Sequence, residues 1–134
     1  MPKHQDMVKA LAELMVHHAF EVSTAISAHA EWKRRLRDAV IRGHCELGSD
    51  EIARDDYCPL GRWLHGMPVE SRNDHVYDDI IEVHARFHRA ASDVVQFLEA
   101  GRIDDARAAM DSDSEFAQAS EELVCLLEDW RAAA

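Results

Sequence analysis

In the stretch HARFH, His84 and His88 stand four residues apart, a spacing that sends both imidazoles off one helix face within reach of a single ion. Zinc proteases share this spacing but need a Glu directly after the first His. Ala85 stands there, so proteolysis is not supported. Paired helical histidines are often solvated or core-edge residues, and the pair gains chemical meaning only if other donors converge on it. His29, in HAEWKRRL, falls three residues after Ile26 and seven before Leu36, on the apolar side of its helix. It is either a core histidine satisfied by one backbone hydrogen bond or a third imidazole facing His84 and His88. Three imidazoles meeting in one place usually bind zinc.

The stretch CPLGRW, residues 58–63, offers a different donor. A thiolate from Cys58, on a short segment packed across a bundle, would close a tetrahedron around such an ion. Its neighbours suit that task. Pro59 can open a short helix without losing a needed N–H, and Gly61 lets the backbone approach a neighbouring helix. A buried Trp63, with Leu64, can anchor the segment in the core and so aim the cysteine. Cys45 begins a second Cys-x-Leu-Gly pattern, but Asp50 stands where the tryptophan belongs, and we read it as a decoy. Cys125 is read as a small buried core residue on the apolar stripe of the last helix. His4, His17, His18, His44, His65 and His75 show no convergent spacing, although His65 and His75 lie near enough in sequence to support the site from outside.

Helices must hold these donors in place, and the composition favours them. The 134 residues are 47% hydrophobic with only five Gly and three Pro, and Ala/Leu/Glu/Arg-rich runs suit helices better than sheets or disorder. From about Lys3 to Arg42, Val8, Leu11, Met15, Val22, Ile26, Trp32, Leu36 and Val40 recur at helical spacings, which predicts one long amphipathic helix stopped by Gly43. The stretch to Tyr57, with Gly48, Ser49 and Asp50, reads mostly as loop. Residues 58–66 allow a short helix opened by Pro59 and ended by Gly66, with Pro68 starting the next element. Val76, Ile80, Val83, Phe87, Val94 and Leu98 predict a second long helix from about Val69 to Ala100, ending at Gly101. A third, from about Ile103 to Ala133, carries Ala106, Met110, Phe116, Leu123, Leu127 and Trp130 and invites a break near Asp111–Ser114. That acidic run lacks the glycine and distal Glu of a calcium loop. The expected fold is all-α, an up-and-down helical bundle of about four helices with a short cross-bundle helix carrying the cysteine, and residues 1–134 form one domain.

A formal net charge of −11, from 26 acidic and 15 basic residues, repels phosphate backbones and anionic headgroups, so nucleic acid is not an expected partner. Apolar runs fall far short of the ~20 residues that span a membrane, and no charged-then-apolar leader is seen, so we expect a soluble cytoplasmic protein unless it is joined to something else. Three cysteines, an odd number, argue against a disulfide framework. The basic run Lys33, Arg34, Arg35 and Arg37 is read as a solvated helix end favoured by the helix dipole.

In order and spacing, the HxxW motif at His29 with basic and Leu positions up to Leu36, CxLGxW at Cys58–Trp63 and HxxxH at His84–His88 resemble the chemoreceptor zinc-binding domain, a bacterial regulatory module. The resemblance spans residues 25–95, and the helical remainder suits the family's bundle. It implies one zinc held by His29, Cys58, His84 and His88. A site closed by three imidazoles and a thiolate leaves no position for water, which fits regulation rather than hydrolysis, so an enzyme is not expected. The resemblance further implies a sensor that reports zinc or oxidant to chemotaxis or cyclic-di-GMP machinery, through a protein partner or a fused output domain, with a possible homodimer formed by its helices. Neither a signalling helix tail nor a nucleotide-cyclase domain accompanies these residues, so either a free-standing module or part of a longer receptor is expected. Zinc occupancy should fall with acid near the imidazole reference pKa of ~6.5, and oxidation of Cys58 should weaken the site. The rivals are an enzyme with an open metal position, a di-iron bundle of the hemerythrin kind, and a structural or protein-interaction bundle in which zinc is purely structural or the histidines are incidental.

Overall fold

The computed structural model describes residues 4–56, 58–67 and 75–132, with side chains from residue 21 onward. Six helices and no strand occur among the described residues: α1 His4–Arg42, α2 Ser49–Ile52, α3 Pro59–His65, α4 His75–Glu99, α5 Ile103–Ala108 and α6 Glu115–Ala132. The all-α bundle expected from composition and periodicity is present. Within the stretch expected to be mostly loop, Ser49–Ile52 instead forms the single turn of α2, with Ile52 buried. The start expected at Val69 and the role given to Pro68 lie outside the described residues, as do the side chains of Val8, Leu11 and Met15.

Glycine ends α1 and α4 for a conformational reason. Gly43 and Gly101 have φ of 78° and 75°, a region that L side chains rarely adopt. At the first, His44 N–H donates to Ala39 O at 3.0 Å and Gly43 N–H to Val40 O at 3.2 Å; Arg102 and Gly101 repeat the pair on Phe97 and Leu98. Both are Schellman stops. The break near Asp111–Ser114 divides α5 from α6, and Ser114 Oγ accepts the Ala117 N–H at 3.1 Å as the cap of α6.

Three long helices bury their apolar stripes in two clusters. One gathers Leu36, Ala39 and Val40 of α1, Ile52 of α2, Phe87 to Leu98 of α4, and Phe116 and Ala119 of α6. The other gathers Val22 and Ala25 of α1, Leu60 and Leu64 of α3, Tyr77, Ile80 and Val83 of α4, and Leu123, Leu127 and Trp130 of α6. Chain direction follows from this order. Helices α1 and α4 run from the second cluster to the first and α6 returns, so the descending leg between α1 and α4 is supplied by α2 and α3. The buried polar residues His29, His84, His88 and Ser120 sit at the boundary between the clusters on α1, α4 and α6. That boundary is a polar layer between two apolar clusters.

Candidate metal centre

Cys58 is the N-cap of α3, with Pro59 as its first helical residue. Its Sγ accepts the Gly61 N–H at 3.2 Å, as a cap side chain does for the third helical residue. Leu60 and Leu64 are 2% and 0% exposed, so the apolar face of α3 is fully sunk in the core. Tyr77 donates its hydroxyl to Leu64 O at 2.8 Å and ties the end of α3 to α4. Trp63 is only half-buried, with its ring 5.6 Å from that of Trp130 and its indole N–H on Glu21 at 3.3 Å. The buried anchors are therefore the two leucines, and the tryptophan clamps the outer side. Gly61 works differently from expectation as well. A Cβ there would lie 1.8 Å from Asp55 O, so the close approach is to the 55–56 turn rather than to a neighbouring helix.

His84 and His88 meet this thiol as their helical spacing predicts. Cys58 Sγ lies 3.2 Å from His84 Nε2, and the His84 and His88 rings are 4.6 Å apart. One donor atom from each of Cys58, His84 and His88 lies within 4.8 Å of the other two. His88 Nδ1 donates to Ile52 O at 2.8 Å, which fixes its tautomer and leaves Nε2 with a free lone pair. His84 Nδ1 is buried without a hydrogen-bond partner among the described residues. His29 is buried in the same layer and packs edge-on against Phe87 at 4.5 Å, with its Nε2 3.1 Å from Ser120 Oγ. It stands outside the mutual 4.8 Å group. A cavity of about 10 Å³ nevertheless touches His29, Cys58 and His88, room for a single small occupant.

Burial controls the protonation of these groups. Desolvation, with smaller contributions from neighbouring cationic groups, pushes His29 and His84 down to about 3. His88 is lowered too, chiefly by burial, against an opposing pull from the Ile52 carbonyl and Asp55. The Cys58 thiol is raised, because burial outweighs the backbone N–H groups that favour its thiolate. Neutral imidazoles are ready ligands; the thiol must lose a proton to become one. This revises the expected acid sensitivity. The folded rings of His29 and His84 protonate well below the reference value near 6.5.

The donor set fits zinc. A thiol and imidazoles with no carboxylate in the group suit a borderline-soft cation and not calcium or magnesium. The residues placed outside the site stay outside the group: Cys45 is half-buried beside the core, His44 and His75 are exposed, and exposed His65 sits 3.7 Å from Asp55. Cys125 is exposed on α6, so its expected core role is wrong; it lies between the core positions Leu123 and Leu127 but off their stripe. His4, His17 and His18 have side chains outside the described residues. Sequence reasoning missed Ser120 and the Ile52 carbonyl. Ser120 had a faint signal, a hydroxyl four residues after Phe116 and three before Leu123 on the apolar face of α6.

No helix among the described residues is long and apolar enough to cross a membrane. No curated protein and no solved structure matches the chain. Residues 29–95 match the family model of the chemoreceptor zinc-binding domain. The match begins at His29 and takes in Cys58, His84 and His88; because it covers half of the 134 residues, this chain belongs to the chemoreceptor zinc-binding domain family.

Proposed function

We propose that the protein is a regulatory zinc-binding domain in which His29, Cys58, His84 and His88 hold one ion, and that residues 1–134 act as one unit. The reading rests on the buried convergence of Cys58, His84 and His88 within 4.8 Å. His29 is included because it is buried in the same layer and lines the small cavity with Cys58 and His88. Zinc, when bound, would supply a cation that keeps Cys58 as a thiolate and ties α1, α3 and α4 together.

What α3 does follows from its attachments. It is held by the contacts of Leu60 and Leu64, by Tyr77, and by the thiol at its first turn. Oxidising Cys58 to a sulfenic acid removes a good ligand and leaves the segment held by its apolar contacts and the Tyr77 hydroxyl. Loosening α3 would release α1 from α4 at the polar layer, a local change suited to reporting zinc level or oxidant to a chemotaxis or cyclic-di-GMP partner. We infer a regulatory rather than catalytic role and a setting in the cytoplasm.

Metal analysis of the purified chain tests this. The expected result is one zinc per chain, lost in Cys58→Ala, and a cobalt-substituted form with thiolate charge transfer. A parent chain without stoichiometric metal would sink the reading. Retention of charge transfer with an added exchangeable water in the unsubstituted protein would instead favour a three-donor open site that excludes His29.

A further inference from the structure

A groove of about 350 Å³ runs beside the metal centre, along the α1 face that bears Trp32, Arg35, Leu36, Ala39 and Arg42. Its volume falls in the range of small-molecule sites. These positions repeat every three or four residues, so the stripe spans eleven residues of helix, about 15 Å. The opposite wall is built by Cys45 and Leu47 of the connecting loop and by Ile52 of α2. Trp32, Leu36, Ala39 and Ile52 make the floor apolar, and Leu47 at the mouth is 42% exposed, one of few large apolar side chains left to solvent.

The charge here opposes that of the whole molecule. In a chain of net charge −11, two arginines reach this groove against one carboxylate, Glu46. Arg42 has no ion-pair partner among the described residues. Arg35 touches Glu31 only through Nε at 3.5 Å, and Glu31 is held more closely by Arg34 at 2.6 Å. The guanidinium groups are therefore largely free to receive an anion, with Arg42 at one end of the apolar stripe and Arg35 beside Leu36 within it. The basic run read from sequence as a solvated helix end has one member, Arg35, turned to this use.

The groove also borders the metal centre through two residues. Trp32 packs its ring 5.0 Å from that of His88, and Ile52, which lines the groove, offers its carbonyl to His88 Nδ1 at 2.8 Å. We propose that this groove binds an amphipathic carboxylate, with its chain along Trp32, Leu36 and Ala39 and its head on Arg42, and that occupancy is felt at the metal cluster. The carboxylate site stands on the groove alone; only the coupling rests on the zinc reading above.

Decanoate is the probe. Zinc-loaded and chelator-treated full chains are alkylated with iodoacetamide with and without decanoate, and each cysteine is quantified by mass spectrometry, with calorimetric titration in parallel. Cys45 lines the groove, whereas Cys125 is exposed near the other end of the bundle and serves as the internal control. Decanoate should slow alkylation of Cys45 severalfold and leave Cys125 unchanged, with a matching calorimetric isotherm. Loss of one charge-assisted hydrogen bond predicts roughly tenfold weaker binding in Arg42→Gln, and a similar loss with decanol. Zinc affinity, read by chelator competition, should shift roughly threefold or more with decanoate present. Absence of both protection and heat up to about 1 mM overturns the site. So does equal binding of decanol, or an unchanged affinity in Arg42→Gln. Decanoate binding with unchanged zinc affinity overturns the coupling, and a chain that binds decanoate but no zinc overturns the functional reading while leaving the carboxylate site in place.

Discussion

At the scale of single residues, the centre is prepared by which protons its buried groups keep. His29 and His84, pushed down to about 3 by burial, are neutral at pH 7, while Cys58, raised by burial, remains a thiol. Zinc binding at pH 7 should therefore release about one proton per ion, from Cys58 alone. Indicator absorbance in weakly buffered solution measures it, and release of two or more would mean that an imidazole is charged before binding. Ser120 Oγ lies 3.1 Å from His29 Nε2 with both side chains buried, a contact that fixes the orientation of the imidazole. Ser120→Ala should lower zinc affinity roughly 10- to 100-fold. If Ser120 acts through His29, the double variant with His29→Ala should be no weaker than His29→Ala alone. Additive losses in chelator competition would separate the two residues.

At the scale of elements, the short helix α3 is aimed by the turn before it. Gly61 is the point of contact, since a Cβ would fall 1.8 Å from Asp55 O and 2.8 Å from Asp55 C, both backbone atoms that cannot rotate away. Gly61→Ala should cost about 2 kcal/mol or more in urea unfolding and weaken zinc binding, because the turn and Cys58 must part. Gly101→Ala makes a useful contrast. A Cβ there meets nothing within 4 Å, and the strain of φ 75° alone should cost about 1 kcal/mol without touching zinc affinity. Equal losses in the two variants would argue that Gly61 matters only for backbone freedom. The long helices needed no such detail to be legible in sequence. Apolar periodicity and terminal glycines outline α1 and α4, whereas α2, a single turn held by the burial of Ile52 and by the Ser92 hydroxyl on Ser49 O at 2.9 Å, has too few residues to show a period.

At the scale of the whole molecule, a polar layer between two apolar clusters weakens the metal-free fold in acid. Unfolded imidazoles titrate near ~6.5 and the folded rings of His29 and His84 near 3, so between those values the unfolded chain binds more protons. Stability is thus fully present above ~6.5 and should fall as pH drops toward 3, read as a decreasing urea midpoint of chelator-treated protein. A flat profile would contradict the burial of the rings. Zinc should oppose this loss by binding only the folded state, by about 4 kcal/mol at a thousandfold excess over Kd, and a chelator should abolish the gain in melting temperature. Surface pairs contribute far less. Arg86 bridges Glu115 and Glu122 across α4 and α6 at 2.8 and 3.2 Å, but such exposed links are worth at most about 1 kcal/mol.

The helical class, the glycine stops of α1 and α4 and the residue types of the donors are local properties, written in spacing and side-chain chemistry, and the sequence by itself determined them. Only the tertiary structure decided which donors meet. It brings Cys58, His84 and His88 within 4.8 Å and leaves Cys45 beside the core and Cys125 in solvent, because convergence depends on how α3 is seated against α4. It also supplied Ser120, far along the chain from His29, and the Ile52 carbonyl, a backbone atom that every residue possesses. No spacing rule can announce such partners, since the distances that make them matter exist only after the helices have packed.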